Sequence, residues 1–329
     1  MSKSGGRSIN YALRPAKNIE RKMMGEALAR LSPIAPLSRY RYVGFGSEFF
    51  NDFALYHQML GIDDMVSIER DEEKLERCRF NRPYKCVDVQ SGSSSSILPQ
   101  LAWKKRSIVW LDYTDPLNSD ILDDVGFVLT AAPSGSVLIV TANAQPLNSS
   151  DEEDGTKHGA AADLPKKRLD TLVSRVGRNR VPSEVTGVQL GQWGLAEVSY
   201  RILLSAVQKT MNDRNAPEKK QAKWRFRQFL HFRYRDGHRM FTVGGILLDP
   251  KDDSRLGENP FDDLSFVRTG EDSLLIDPPM LTGREVRHLN QLLPHEAAEL
   301  GQPVWLTADD RRKYKEVYRY FPVFAESEL

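Results

Sequence analysis

Cysteine is scarce in this sequence: only Cys78 and Cys86 occur among 329 residues. Two thiols are too few for a disulfide framework or for a tetrahedral zinc site built from cysteines alone. Neither cysteine lies beside a histidine in the sequence, which argues against a cysteine nucleophile. We interpret both as core residues, Cys78 in a helix and Cys86 in a strand.

The chain also lacks a long apolar run and an excess of charge of one sign. No stretch reaches the roughly 18 uninterrupted apolar residues of a membrane span, and the first residues have no apolar core typical of a secretion signal. Lys and Arg number 46 and Asp and Glu 45, for a net charge of +1. The net charge therefore creates no electrostatic field that would favour binding to nucleic acid or anionic lipid. We expect a cytoplasmic protein with no membrane partner and only local basic surfaces.

An alternation of strand-like and helix-like segments dominates the first half of the sequence. An apolar helical stripe over residues 17–31 ends at Pro33 and Pro36. The pattern then predicts strands at 40–45, 65–69, 84–89, 107–112 and 136–141, with helices at 48–60, 72–81 and 120–131. Such alternation predicts an α/β fold with a parallel sheet covered by helices.

The second half predicts helices at 165–178 and 194–212 and a hairpin with strands at 224–234 and 239–248. The remainder predicts a strand at 264–267 and two helices, which begin at Thr282 and Thr307 because each is followed three residues later by an acid. We therefore divide the chain into a tail and N-terminal helix (1–39), an α/β domain (40–249) and a C-terminal α+β extension (250–329).

Glycines and acids follow the predicted strands, where a parallel sheet binds its ligands. Gly44, Gly46 and Ser47 end the first strand, and Glu69 ends the second, about 20 residues after Gly46. A carboxylate at that spacing can accept hydrogen bonds from both hydroxyls of a ribose. A plain tight turn and a solvated acid beside Arg70 are the alternatives. Asp88 lies near the end of the third strand, and Asp112 and Tyr113 end the fourth.

Residues 40–249 resemble the class I S-adenosylmethionine-dependent methyltransferases in the order of these strands and motifs. The resemblance implies a Rossmann-like fold with a mostly parallel seven-stranded sheet closed by an antiparallel hairpin, and S-adenosylmethionine as cofactor. It places the glycine turn against the methionine part of the cofactor, Glu69 at the ribose and Asp88 at the adenine amine. Asp112 and Tyr113 would face the methyl group and the acceptor, with Asp112 as a general base or Tyr113 as a proton carrier.

Two positions depart from that family. Tyr42 stands where an acid is usual, and Glu48 where a third glycine is common. We expect Glu48 or Asp52 to replace the missing acid at the ammonium group of the cofactor, unless the site has degenerated. Asn143 matches part of the metal site of catechol-type relatives, but Ala142 replaces its acid, so we expect no metal.

The whole sequence also resembles a bacterial group of O-methyltransferases. The marks are residues 10–22 (NYALRPAKNIERK), 42–47 (YVGFGS) and 111–117 (LDYTDPL). The acceptor remains open: O- or N-methylation of a small molecule or of nucleic acid.

Basic residues supply candidates for binding the acceptor. Residues 224–235 alternate cationic and aromatic side chains, which predicts one cationic face able to contact phosphates, together with the basic N-terminal helix. A solvated or acid-paired face is the alternative. The candidates are Tyr11, Arg14, Lys17, Asn143, Arg225 and Arg227. His57 and His238 have no metal-ligand spacing and are expected to be structural.

Three functions therefore compete. The first is an S-adenosylmethionine-dependent methyltransferase. The second is a catalytically inactive methyltransferase-like module that binds nucleic acid or a protein partner in a larger assembly. The third, a nicotinamide-dependent oxidoreductase, shares the glycine turn and Glu69 but does not explain the antiparallel hairpin.

Overall fold

The computed structural model describes residues 14–147, 160–216, 223–294 and 303–322, with backbone alone at 160–162. Tyr11 lies outside these ranges. Within them eight strands form one sheet in the order β3-β2-β1-β4-β5-β7-β6-β8. The strands are β1 (Arg41–Phe45), β2 (Asp64–Glu69), β3 (Val87–Ser91), β4 (Ser107–Pro116), β5 (Val137–Asn143), β6 (Arg225–Asp236), β7 (His238–Leu248) and β8 (Leu274–Ile276).

Strands β1 to β5 are parallel and follow the order 3-2-1-4-5 of a doubly wound sheet. The order reverses between β1 and β4, which pair directly, with Gly44 opposite Trp110. Chain connections leave this point in opposite directions, so a crevice opens beyond the carboxyl ends of β1 and β4. The expected Rossmann-like α/β class is confirmed.

The antiparallel hairpin is also present: β7 pairs with both β5 and β6. Gly237 makes its turn at a φ of 94°, in the left-handed region that glycine favours. The sheet has eight strands in the described residues rather than the expected seven, because β8 of the C-terminal extension adds in parallel to β6. The strand predicted at 264–267 is wrong. Those residues form turns that bury Leu264 and Phe266.

Helices cover both faces of the sheet. They are α1 (Pro15–Ala29), α2 (Asn51–Leu60), α3 (Glu72–Asn81), α4 (Ser94–Ile97), α5 (Ser119–Ala131), α6 (Ala160–Val176), α7 (Gly194–Arg214), α8 (Pro250–Leu256), α9 (Gly283–Leu292) and α10 (Ala308–Val317). Successive strand residues point to opposite faces, so Tyr42 joins one core with α1 and α2, and Val43 joins another with α5 and α7. Among the described helices, none combines the length and apolar character needed to cross a membrane.

Helix α1 is an integral part of the first core. Its residues Ile19, Met23, Met24 and Leu28 are fully buried or nearly so. The helix contacts α2, β6 and β8, which belong to distant parts of the chain. Helix α1 is therefore part of the same core as the α/β domain that follows it in the sequence.

The C-terminal extension confirms both predicted helix starts. Thr282 and Thr307 each accept a hydrogen bond from the third helical residue, whose side chain binds the threonine amide in return. Helices α9 and α10 share a small core around Leu289, Leu306 and Tyr314. Cys78 lies in α3 as expected, but Cys86 lies in the turn before β3 rather than in the strand.

Candidate functional site

A cavity of about 450 Å³ lies at the switch point of the sheet. It is lined by residues from the carboxyl ends of β1, β2 and β4, by the loop after β3, and by α1 and α5. Its volume is in the range of small-molecule and cofactor sites. Of the residues predicted from sequence, it brings together Gly46, Ser47, Glu48, Asp52, Glu69, Asp112 and Tyr113.

The turn after β1 is built around Gly46. Its amide donates to the Ile68 carbonyl at 2.7 Å, and an added Cβ would lie 2.9 Å from Ser67 Oγ and 3.3 Å from Glu69 Cβ. Only glycine lets β1 and β2 approach this closely at their ends. Gly44 does not line the cavity; a Cβ there would lie 2.9 Å from the Tyr42 hydroxyl, so Gly44 makes room for that ring.

Ser47 shapes the start of α2. Its Oγ accepts from the amides of Phe49 and Phe50, both at 3.3 Å. Phe50, the residue before α2, is fully buried at a φ of 47°, which is strained for a bulky side chain. Packing of the Phe50 ring against Phe53 holds this conformation. The strain lies directly beside the cavity.

Tyr42 and Asp52 account for the first departure from the family pattern. The Tyr42 hydroxyl donates to the Asp52 carboxylate, which lines the cavity. Burial raises the pKa of Asp52, and nearby Arg21 and the Tyr42 hydrogen bond oppose that rise. A carboxylate carried by α2, rather than by β1, therefore lines the cavity.

Glu48 supplies a second carboxylate at the same end of the cavity. Its side chain is 7% exposed, and its Oε1 accepts from Arg77 Nη1 at 3.0 Å. The position that often holds a third glycine therefore carries a charged wall residue instead.

Glu69 ends β2 and faces the cavity. Its Oε1 accepts from the Asp71 amide at 2.8 Å, which fixes the carboxylate against the following loop. Its Oε2 lies 3.7 Å from the Cys78 thiol, whose pKa is raised to about 11 by burial and by the Glu69 charge. The protonated thiol can therefore donate to this carboxylate.

Asp88 does not reach the cavity. It lies opposite Val66, three residues before the end of β3, and is exposed and bound by Gln90 Nε2 at 2.8 Å. The residues that follow this strand meet the cavity instead: Gly92, Ser93, Ser94 and Ser95, none of which was predicted from the sequence. Their signal is a glycine followed by serines, with Ser93 capping α4.

Asp112 rests on a buried polar cluster beneath the cavity. Lys17 Nζ donates to Asp112 Oδ1 at 2.7 Å and to the Tyr234 hydroxyl at 2.9 Å, and pairs with Glu20 at 2.8 Å. Burial raises the pKa of Glu20, and Lys17 opposes that rise. The Lys17 side chain is 3% exposed, so it orients Asp112 and is not open to an acceptor in solution.

Tyr113 is held by Asp124 of α5. Its hydroxyl donates to Asp124 Oδ2 at 2.7 Å, and Ser94 donates to the same oxygen. Burial, followed by the Asp124 charge, raises the pKa of Tyr113 well above its ordinary value. Asp124 lies within α5 with no motif around it, so sequence reasoning could not have found it.

The remaining candidates lie elsewhere. Arg14 precedes α1, and Asn143 accepts from the Gln145 amide at 2.7 Å; neither lines the cavity. Arg225 pairs with Asp253 at 3.2 Å, and Arg227 lies 3.7 Å from the same residue. Both belong to the cationic face predicted on β6.

That cationic face does not form as predicted. A bulge between Gln228 and Leu230 breaks the alternation of β6. His231 is consequently buried and stacks on Tyr200 with ring centroids 4.0 Å apart. Acid pairing and the bulge leave no continuous row of free cations along the described strand.

The cavity is strongly acidic. Three basic side chains, Arg21, Arg70 and Lys74, face seven carboxyl groups in its lining. These are Glu48, Asp52, Glu69, Asp112, Asp115, Asp120 and Asp124. Such a lining favours a ligand that carries positive charge and hydrogen-bond donors.

The model of a protein family described as "Putative O-methyltransferase" matches residues 9–329. The chain belongs to this family. It is therefore, by family, a methyltransferase with an unspecified acceptor. No curated protein sequence matches the chain.

Solved structures are similar to parts of the chain. One is the O-methyltransferase TomG from Streptomyces achromogenes, involved in tomaymycin synthesis, in complex with SAM: 16% identity, TM-score 0.34, 69% of this chain and 79% of that one. Another is Trm1 from Pyrococcus horikoshii with S-adenosyl-L-methionine, at 12% identity and a TM-score of 0.44. The match covers 95% of this chain and 76% of that one. A third is an O-methyltransferase family protein from Burkholderia thailandensis, at 9% identity and a TM-score of 0.35. The match covers 70% of this chain and 56% of that one.

Proposed function

We propose that this family member uses S-adenosylmethionine, bound in the acidic cavity at the switch point, to methylate oxygen or nitrogen of a small molecule or a nucleic acid in the cytoplasm. The observation that carries the proposal is that Gly46 and Glu69 lie next to each other in the lining of that cavity. The glycine lets a ligand approach the backbone of the turn between β1 and α2, and the acid ends the neighbouring strand β2.

The donor groups in the cavity fit this cofactor. Glu69 is fixed by the Asp71 amide and can accept hydrogen bonds from ribose hydroxyls. Asp52 and Glu48 lie at the end of the cavity nearest α2 and suit an ammonium group. Residues 92–95, rather than Asp88, would meet the adenine, since they enclose the cavity beyond Glu69.

When bound, the cofactor supplies a methyl group on a positively charged sulfur. The protein must then hold the acceptor atom in line with that methyl group and remove the proton of the acceptor. Asp112 is the best-placed base, because its carboxylate lines the cavity, is 27% exposed and is held in one orientation by Lys17. Tyr113 keeps its proton, which it donates in a hydrogen bond to Asp124. Its ring forms part of the cavity wall and lies 4.8 Å from the Phe45 ring, measured between centroids.

Calorimetric titration with S-adenosylmethionine and S-adenosylhomocysteine tests the proposal. We expect micromolar binding that falls at least about tenfold in Glu69→Ala, because the buried ribose hydroxyls lose a charged partner. Glu76→Ala is the matched control: it removes an exposed carboxylate from the neighbouring helix α3 and should bind like the wild type. Absence of heat and of a thermal shift with either ligand would refute the enzyme proposal and favour a non-catalytic binding module.

A further inference from the structure

A second cluster of donor groups lies at the end of the sheet opposite the cavity. It consists of His57 in the last turn of α2, Asp63 just before β2 and Cys86 in the turn before β3. The cavity faces the carboxyl ends of these strands, whereas this cluster lies at their amino ends. Three separate segments of the chain therefore meet at one point.

The donor atoms converge on His57 Nδ1. Asp63 Oδ1 lies 3.2 Å from this nitrogen and Cys86 Sγ lies 3.7 Å from it. All three donor atoms lie within 4.8 Å of one another. Ligands at the usual bond lengths of a tetrahedral zinc ion are roughly 3.3–3.6 Å apart. Both separations from His57 Nδ1 are close to those values.

A simple hydrogen bond explains only part of this arrangement. His57 Nδ1 lies 2.9 Å from the Ile62 carbonyl oxygen, to which an N–H at that position donates. This bond does not account for the thiol and the carboxylate beside the same nitrogen. The imidazole is also held by Tyr84, whose ring centroid is 4.2 Å away, so its orientation is fixed in advance.

We propose that His57, Asp63 and Cys86 bind a structural zinc ion that links the end of α2 to the starts of β2 and β3. Sulfur, imidazole nitrogen and carboxylate oxygen together are a zinc-type donor set rather than one for calcium or magnesium. The fourth position falls to the Ile62 carbonyl or to water. The site stands independently of the proposed methyl transfer, because none of its residues lines the cavity. It replaces the expectation that His57 is a plain structural residue.

Binding must release a proton from the thiol. A cysteine thiol has an ordinary pKa of about 8.5, so the free Cys86 side chain carries its proton at neutral pH. On coordination the S–H bond breaks, an S–Zn bond forms and the proton passes to the buffer. The remaining imidazole proton moves to Nε2, which leaves Nδ1 free to bind the ion.

Cobalt(II) substitution of the full chain tests the proposal, after stripping with a chelator. A thiolate ligand produces a sulfur-to-cobalt charge-transfer absorption, which reports the Cys86–metal bond directly. We expect this band in the wild type and in Cys78→Ala, the matched control with the other cysteine removed, and its loss in Cys86→Ser. Circular dichroism checks that each variant is folded.

Zinc chloride titration against a competing chelator supplies an independent measurement. Asp63→Asn is suited to it, because the Asp63 side chain is 74% exposed and its replacement leaves the core intact. We expect zinc affinity to fall about tenfold or more in this variant. Absence of the cobalt band in the wild type, its persistence in folded Cys86→Ser, or unchanged zinc affinity in Asp63→Asn would each overturn the site.

Discussion

The Tyr42 hydroxyl donates a hydrogen bond to the Asp52 carboxylate across the interface between β1 and α2. The bond joins a fully buried ring to a carboxylate in the cavity lining. Tyr42 therefore supplies no charge to the cavity itself, but its hydrogen bond orients the Asp52 carboxylate there.

Replacing each partner of this bond should separate binding from positioning. Asp52→Asn removes the charge, and we expect cofactor affinity to fall about tenfold or more, as for loss of a charge-assisted hydrogen bond. Tyr42→Phe keeps the carboxylate but frees it to turn, so affinity should fall less while stability drops by about 1.5–3 kcal/mol. Calorimetry and urea unfolding provide the two readouts. Equal affinity losses in both variants would contradict the division of roles.

Gly46→Ala should disturb both the glycine turn and Glu69. The added methyl group would lie 2.9 Å from Ser67 Oγ and 3.3 Å from Glu69 Cβ, so the strand ends must separate. We expect a loss of about 1–3 kcal/mol in unfolding free energy and clearly weaker cofactor binding. Gly126→Ala is the control. Gly126 lies inside α5, and the added methyl group would lie 3.6 Å from Thr210 Oγ1 of α7, an ordinary contact distance. That variant should be up to about 1 kcal/mol more stable.

Lys17→Met should destabilise the protein by about 3–5 kcal/mol, because it leaves Glu20 buried without its cation. Adding Glu20→Gln should recover part of this loss, since the unpaired carboxylate is then gone. Urea unfolding of both single variants and the double variant measures the coupling between them. Strictly additive losses would show that the ion pair contributes nothing of its own.

His231 should make stability depend on pH below neutrality. Burial lowers its pKa from an ordinary 6.5 to about 4. Between these values the unfolded chain binds a proton that the folded chain does not, so stability falls as the pH falls through this window. The shift corresponds to about 3 kcal/mol at most.

Urea unfolding from pH 7 to pH 4 checks this dependence. We expect the curves for the wild type and His231→Gln to converge as the pH falls, because the variant lacks the buried imidazole. His238→Gln, at the exposed hairpin turn, should follow the wild type throughout. A constant difference between the wild type and His231→Gln would contradict the expected titration.

Much of the fold could be predicted because the relevant signals are local. The prediction for α3 matches its observed bounds, Glu72–Asn81, and both capping boxes lie where Thr282 and Thr307 indicate. The pairing of β8 with β6 could not be predicted, because three residues, Leu274–Ile276, carry no pattern that identifies a distant partner.

The candidate site divides in the same way. Residues next to a glycine turn or a strand end, such as Gly46 and Glu69, reach the cavity as expected. Asp88 does not, because β3 begins three residues later than its pattern indicates and the strand end moves to Ser91. The contact of Asp124 with Tyr113 depends on how α5 packs against β4, and the burial of Lys17 depends on Tyr234, 217 positions away; periodicity reveals neither.

The docking of α1 has a consequence for synthesis of the chain. Lys17 leaves the ribosome before its partner Tyr234, which follows 217 positions later. At ordinary rates of translation the helix therefore waits roughly 10–40 s for the strand that covers it. During that interval its apolar face, including Ile19 and Met23, has no β6 to pack against. Helix α1 therefore completes its packing only after the hairpin of β6 and β7 has been made, although α1 itself is synthesised much earlier.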